Sequence, residues 1–163
     1  MASRKRRWQA PEGLRVYPDG TWRVGDVHVI HPPSLRYFKS HLVFEEAGAF
    51  IVDGDQRMKV DVLGPAFQVT SLVLDADKGE ASLVLDADKG EARVVLDDGT
   101  VETVTDDALG MNRETGRFES RVREGRATAL LARGPHQTLL EHMEEDKGRF
   151  FLHVGERRIA VRT

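Results

Sequence analysis

A segment of this chain recurs, without a gap, 101 residues further on. His41 to Val62 is echoed by His142 to Thr163, so that His41 meets His142, Phe50 meets Phe151, Gly54 meets Gly155, Arg57 meets Arg158 and Val60 meets Val161. Conservative pairs lie between these: Leu42 with Met143, Glu45 with Asp146, Ile51 with Leu152 and Met58 with Ile159. Two copies of one unit are therefore expected, and a fold built from them must repeat one arrangement of strands and helix.

The grammar of the first copy is strand-like from Leu14. Asp19-Gly20 between β-formers predicts a hairpin, because glycine accepts the positive φ of a tight turn. His31-Pro32-Pro33 stops the sheet, and Ser34 is read as the N-cap of a short helix, Leu35 to Leu42, with Leu35, Phe38 and Leu42 on one face. Ala49 to Val52, Arg57 to Val62 and Phe67 to Leu74 read as strands. The second copy repeats this with Asp98-Gly99-Thr100 as a turn, Ala127 to Ala132 as a buried strand or helix start, a helix over 136 to 145, and a closing hairpin turned by Gly155. Between them, Thr105 to Arg126 is polar, lacks a counterpart in the first half, and reads as a loop with one short strand around Phe118 to Val122.

A second repetition is of another kind. Ser71 to Ala81 recurs letter for letter as Ser82 to Ala92. Old duplications drift and this one has not, so it is recent, engineered or an artefact. One copy is expected to serve in the sheet while the surplus lengthens a hairpin. The domain reading is a basic flexible tail at 1–13, a first β-rich unit at 14–74, the duplicated hairpin segment at 75–92, and a second β-rich unit at 93–163. The fold class expected is α+β: two similar β-rich units, each with a short helix followed by a hairpin, packed as one body.

The chain's 163 residues are enough for a sizeable core. It has no cysteine, which excludes disulfides and thiolate chemistry and fits a reducing compartment. No apolar run reaches the length of about 20 residues that a membrane span needs, and the N-terminus lacks the apolar segment of an export signal. A cytoplasmic location follows as the expectation. The tail holds Arg4, Lys5, Arg6 and Arg7, yet the whole chain carries a formal net charge of -3, so the folded body is acidic. A body of that sign repels phosphate backbones, and nucleic acid is not the expected partner.

Few residues present themselves as a site. Asp75-Ala-Asp77-Lys-Gly79 and its copy Asp86-Ala-Asp88-Lys-Gly90 place glycine where a calcium loop needs its next oxygen ligand, and read as polar turns. His28 and His31 fall on opposite faces of a strand, and His136 and His153 have no recognisable partner. His41 and His142 are equivalent, each near a helix C-terminus, where capping or packing accounts for an imidazole better than metal binding. Arg57 and Arg158 are the equivalent cations that could hold a carboxylate or phosphate of a ligand; as structural residues they would brace a hairpin through acidic neighbours such as Asp55 and Glu156. No nucleophile elbow, phosphate loop or zinc-protease helix occurs.

Taken together, Asp19-Gly-Thr-Trp22, the helix with Phe38, Phe50-Ile-Val52, Arg57-Met-Lys-Val-Asp-Val62, Gly64-Pro-Ala-Phe-Gln-Val69 and Arg126-Ala-Thr-Ala-Leu-Leu-Ala-Arg133 resemble the small, mainly proteobacterial DUF1285 family. The likeness covers about residues 14 to 163 and departs from the family pattern at the tandem insertion and in Thr105 to Val122. It implies two similar β-rich units, each with a helix, no established activity, and signalling or regulatory roles suggested from structural likeness. The functional expectation is a binding or regulatory module without catalysis, without a cofactor or bound metal, engaging a protein or small ligand and open to homo-oligomerisation. The candidate ligand-binding residues are Arg57, Arg158, His41 and His142. The alternative is a metal-binding protein or enzyme using His41, His142 and nearby carboxylates.

Overall fold

The computed structural model describes residues 11–75 and 90–163. The Arg4 to Arg7 cluster and the two Asp-Ala-Asp-Lys turns, apart from Asp75 and Gly90, lie outside the described residues. The chain divides into two compact units, one up to Gly64 and one from Pro65 onward, and each is described by itself.

In the first unit, Thr21 donates to Asp19 Oδ1 from both its backbone nitrogen (3.0 Å) and its hydroxyl (2.6 Å). With Gly20 at φ 83°, this turn folds β1 (Leu14–Val16) onto β2 (Trp22–Val24), and the hydroxyl's hydrogen bond holds the Asp19 carboxyl below its ordinary pKa. β3 (Val27–His28) follows, then α1 (Pro32–His41), β4 (Leu42–Glu45), β5 (Gly48–Asp53) and β6 (Gln56–Val62). The helix begins at Pro32 and not at Leu35, with His31 as N-cap. Proline suits the first turn of a helix because the N–H it lacks would have no partner there. Ser34 lies inside that turn, its hydroxyl 2.8 Å from His31 Nδ1.

The sheet order is β3-β2-β1-β6-β5-β4. All neighbours are antiparallel except β1 and β6, which run parallel with Arg15 opposite Asp61 and Val16 opposite Val62. A parallel pair cannot be joined by a tight turn, and α1 lies in the crossover between them. Leu42, Ala49, Ile51 and Val60 are buried along one face of the hairpins, and burying a large aliphatic of this kind stabilises by about 1.5–3 kcal/mol. Trp22 stacks on Phe38, ring centroids 6.0 Å apart, and both are buried.

The second unit comprises β7 (Phe67–Asp75), β8 (Glu91–Leu96), β9 (Val101–Thr103), β10 (Leu109–Asn112), β11 (Arg117–Val122), β12 (Ala127–Leu131), α2 (Arg133–His142), β13 (Met143–Asp146), β14 (Arg149–Val154) and β15 (Arg157–Val161). Its sheets have the orders β10-β11-β12-β7-β8-β9 and β13-β14-β15. A parallel bridge between Gly110 and Arg162 joins the two, with the Arg162 nitrogen donating to Leu109 O at 2.8 Å. A Cβ on Gly110 would lie 2.9 Å from the Arg162 Cβ, so glycine permits this approach.

The 101-residue echo is carried into the backbone. α1 and α2 are in step, as are β4 with β13 and β5 with β14, and the ladders match position for position: Leu42 opposite Ile51 as Met143 opposite Leu152, and Ile51 opposite Met58 as Leu152 opposite Ile159. The likeness extends further back than the sequence reading allowed. β10, β11 and β12 occupy the places of β1, β2 and β3, and β10 is parallel to the end of β15 as β1 is to β6. Thr105 to Arg126 is therefore mostly the counterpart of the first hairpin, its polar residues pointing outward from strands whose inward positions are Leu109, Phe118, Ser120 and Val122.

Two further expectations change. Asp98-Gly99-Thr100 makes the same bonds as Asp19-Gly20-Thr21, with Thr100 donating to Asp98 Oδ1 at 3.0 and 2.6 Å, but it joins β8 to β9. It is the same turn chemistry at a different place in the fold. Phe67 to Leu74, read with the first unit, belongs to β7, which pairs with β8 and β12 in the second. The described residues are mostly β, with fifteen strands and two ten-residue helices, and so carry less helix than an α+β fold suggests. In the tandem repeat, Ser71 to Asp75 of the first copy stand in β7, and Asp75 pairs with Glu91 of the second. Removing either copy leaves one and the same sequence, in which that pair would close a short hairpin.

Candidate functional site

The residues singled out by the 101-residue echo sit in matching places. Arg57 on β6 forms an ion pair with Glu45 on β4, and its guanidinium lies over the Phe50 ring of β5, 4.0 Å from the centroid. Arg158 on β15 pairs with Asp146 on β13 at 3.0 Å and lies over Phe151, again at 4.0 Å. Both cations thus reach across a three-stranded face. The carboxylates they meet are Glu45 and Asp146, two strands away, in place of the turn residues Asp55 and Glu156 that the sequence suggested. Residues on one strand and on the next strand but one share a face when their ladder partners do, which a reading along the chain does not reveal.

His41 and His142 close the two helices. The Nδ1 of His41 is 2.8 Å from Tyr37 O, and the Nδ1 of His142 is 2.9 Å from Thr138 O. A carbonyl only accepts, so each Nδ1 carries the hydrogen, and each imidazole satisfies a carbonyl of its own last turn. The His41 ring also lies 4.3 Å from the Tyr37 ring, centroid to centroid. Tyr37 donates to Asp53 Oδ2 at 2.5 Å, and burial, followed by the hydrogen bond and charge of Asp53, pushes the phenol up to about 12. The equivalent positions of the second unit are Thr138 and Val154, which cannot make this bond. His153 instead pairs with Glu144 across β14 and β13. Among the described residues, no three His, Asp or Glu side chains form a group fit for a metal ion.

Two features escaped the sequence reading. Arg123, at φ 52° in the turn between β11 and β12, bonds to Asp98 at 2.5 Å and Glu102 at 2.9 Å and lies over Phe67. It ties β7, the β8–β9 turn and β9 to the β11–β12 turn. The other is the outer edge of β3. By sheet register Val27, His28 and Val29 stand where Ala129, Leu130 and Leu131 stand in β12, since Arg23 faces His28 as Glu119 faces Leu130. β12 is covered along this edge by β7, with Phe67, Gln68 and Val69 opposite Ala129, Leu130 and Leu131. Among the described residues no strand pairs with the outer edge of β3. Ala129 is fully buried and Val27 is 70% exposed; Ile30, just beyond, is 81% exposed. Exposed β-branched residues on a short strand carry no mark in sequence that separates them from core.

No family model matches the chain, and no curated protein matches it. Among solved structures, a DUF1285 family protein from Silicibacter pomeroyi DSS-3 is similar over 94% of this chain and 83% of its own, with a TM-score of 0.65 at 19% identity. This chain has the fold of a DUF1285 family protein. A second DUF1285 family protein, from Shewanella baltica OS155, matches 75% of this chain and 85% of its own with a TM-score of 0.49 at 14% identity. At 94% coverage, the DUF1285 fold of the first match takes in both units described above.

Proposed function

We propose that the protein is a binding or regulatory module without chemistry of its own, working in the cytoplasm, in which the second unit is a reinforced scaffold and the first presents the binding surface. The observation that carries this reading is the contrast of edges: the second unit pairs the edge of β12 with β7 and buries Ala129, whereas the counterpart Val27 in the first unit is exposed on an edge that no described strand pairs with. The repeated arginines and histidines support it, because each is engaged in bracing its own unit. The chain's lack of cysteine supports the compartment, and no helix of the described residues is long and apolar enough to cross a membrane.

The test is elemental analysis of the purified full chain together with thermal melting in added zinc and calcium. No stoichiometric metal and an unchanged melting temperature are expected, since a ligand that binds only the folded state raises it. A bound metal lost from both His41→Ala and His142→Ala, with metal-dependent turnover of any substrate, would replace this reading with the enzyme alternative.

A further inference from the structure

We propose that the outer edge of β3 takes an extended segment of a partner protein as an added parallel strand, apolar at two alternate positions, basic where it enters and acidic where it leaves. This rests on the reading of the protein as a binding module and names the partner's chemistry. The second unit supplies the template: β7 runs parallel to β12, places Phe67 and Val69 on the buried face (1% and 0% exposed), and receives at Val69 O a hydrogen bond from the Ala132 nitrogen at 3.1 Å. Strand addition of this kind takes its affinity from main-chain bonds and its specificity from alternate side chains.

The backbone of the first unit is set for the same pairing. The Val29 nitrogen donates inward to Trp22 O at 2.8 Å, and successive residues of a strand turn their polar groups to opposite sides, so the N–H and C=O groups of His28 and Ile30 point to the outer edge. Counted on from the β3 ladder, Ile30 falls level with Ala132, whose N–H serves β7, while counted back from the helix the N-cap His31 takes that place. Alternate apolar residues of an incoming strand would lie beside Val27 and Val29, as Phe67 and Val69 lie beside Ala129 and Leu131.

Charge sets the direction. Asp26 is exposed at the start of β3. At the other end the chain enters α1, whose N-terminus has no acidic residue in its first turn and His31 exposed beside it. A helix N-terminus is a partial positive charge. A parallel strand therefore meets Asp26 with its first residues and the helix with its last, which suits a basic residue before the apolar pair and an acidic one after it. β3 itself is blunted by being short, a common protection against indiscriminate edge pairing, so recognition depends on these flanking charges.

The probe is a fluorescein-labelled peptide, Lys-Ala-Phe-Gln-Val-Thr-Glu, titrated into the full chain and followed by anisotropy at low salt. Saturable binding is expected, with at least tenfold weaker affinity for Ile30→Pro, which removes the outward N–H, and for Val27→Asp. The charge-reversed peptide Glu-Ala-Phe-Gln-Val-Thr-Lys is expected to bind at least threefold more weakly than the first. Both substitutions fall on exposed positions, and unchanged circular-dichroism melting verifies their folding. Absence of saturable binding, equal affinity for the two peptides, or affinity unaltered in both variants would overturn the proposal. So would concentration-dependent dimerisation abolished by Ile30→Pro, which would assign the edge to a second copy of the chain. The metal and turnover measurements decide the module reading separately, so the edge can fail while that reading stands.

Discussion

The hairpins β4–β6 and β13–β15 share their paired positions, their braces and their buried face, whereas the edges β3 and β12 share a place in the sheet and little of its environment. Between the hairpins a glutamate stands where the other has an aspartate and a valine where the other has a glutamate, yet Arg57 and Arg158 both lie over a phenylalanine and reach a carboxylate. At the edges, one strand is covered by β7 and the other is left with Val27 and Ile30 in solvent. The two units thus agree in the part that holds each of them together and differ at the rim. Where two copies agree, the agreement reports on folding. Their disagreement is the better pointer to binding.

The largest test of that comparison lies under the helices, where the copies have solved one packing problem in two ways. Phe38, stacked on Trp22, corresponds to the fully buried Leu139. Phe118, which takes the place of Trp22, instead meets His136 edge-on with centroids 5.3 Å apart. Phe38→Ala is expected to cost about 3–5 kcal/mol and Leu139→Ala about 2–5 kcal/mol in urea unfolding. The exchange Leu139→Phe sharpens the point, since overpacking a filled site costs about 1–3 kcal/mol. A neutral Leu139→Phe would mean that the two cores are interchangeable, and that the aromatic stack in the first unit is not a divergence in packing.

How much of this was legible in the sequence depends on which forces wrote each part. The echo from His41 to Val62 was legible because hairpin register is local: turns and alternating side chains fix it within a few residues. Position Arg57 was legible as a repeated cation, but its carboxylate was not, because Glu45 comes alongside only when three strands are laid side by side. In Thr105 to Arg126 the strand around Phe118 to Val122 was legible, but β10 and the likeness to the first hairpin were not, because Leu109 stands alone among Asp, Glu and Arg. Only the pairing of β10 with β11 shows that the two rebuild β1 and β2. Asp98-Gly99-Thr100 misled for the opposite reason, since its chemistry makes one kind of turn wherever it is placed. The β3 edge was invisible, since exposure depends on a neighbour's absence and no residue encodes it.

A smaller effect separates the two helix ends. Tyr37 bonds to Asp53, and the second unit has no such pair. Tyr37→Phe is expected to cost about 1 kcal/mol near neutral pH, the usual net worth of one hydrogen bond. The pH dependence has a definite sign. The folded value, about 12, lies above the ordinary 10.0, so the folded state holds this proton more tightly than the unfolded chain. Its contribution is complete below pH 10 and is lost as pH rises toward about 12. Wild type should therefore lose melting temperature more steeply than Tyr37→Phe across that interval. Parallel curves would show that the phenol ionises as freely in the folded chain as in the unfolded one.

The smallest effect bears most directly on what the two units share. Both arginines are half-exposed or nearly so, with side-chain exposures of 50% and 39%, and such ion pairs contribute about 0–1 kcal/mol, with a similar amount for an exposed cation over an aromatic ring. Double-mutant cycles pairing Arg57→Ala with Glu45→Ala, and Arg158→Ala with Asp146→Ala, should each give a coupling of about 0.2–1 kcal/mol. The two values should agree, and both should fall in 1 M salt, where charges are screened within about 3 Å. A measurable coupling in one unit and none in the other would break the equivalence of the braces. The uncoupled arginine would then be the one free to hold a ligand's carboxylate or phosphate, and the place to search for it would move from the β3 edge to the outer face of that hairpin.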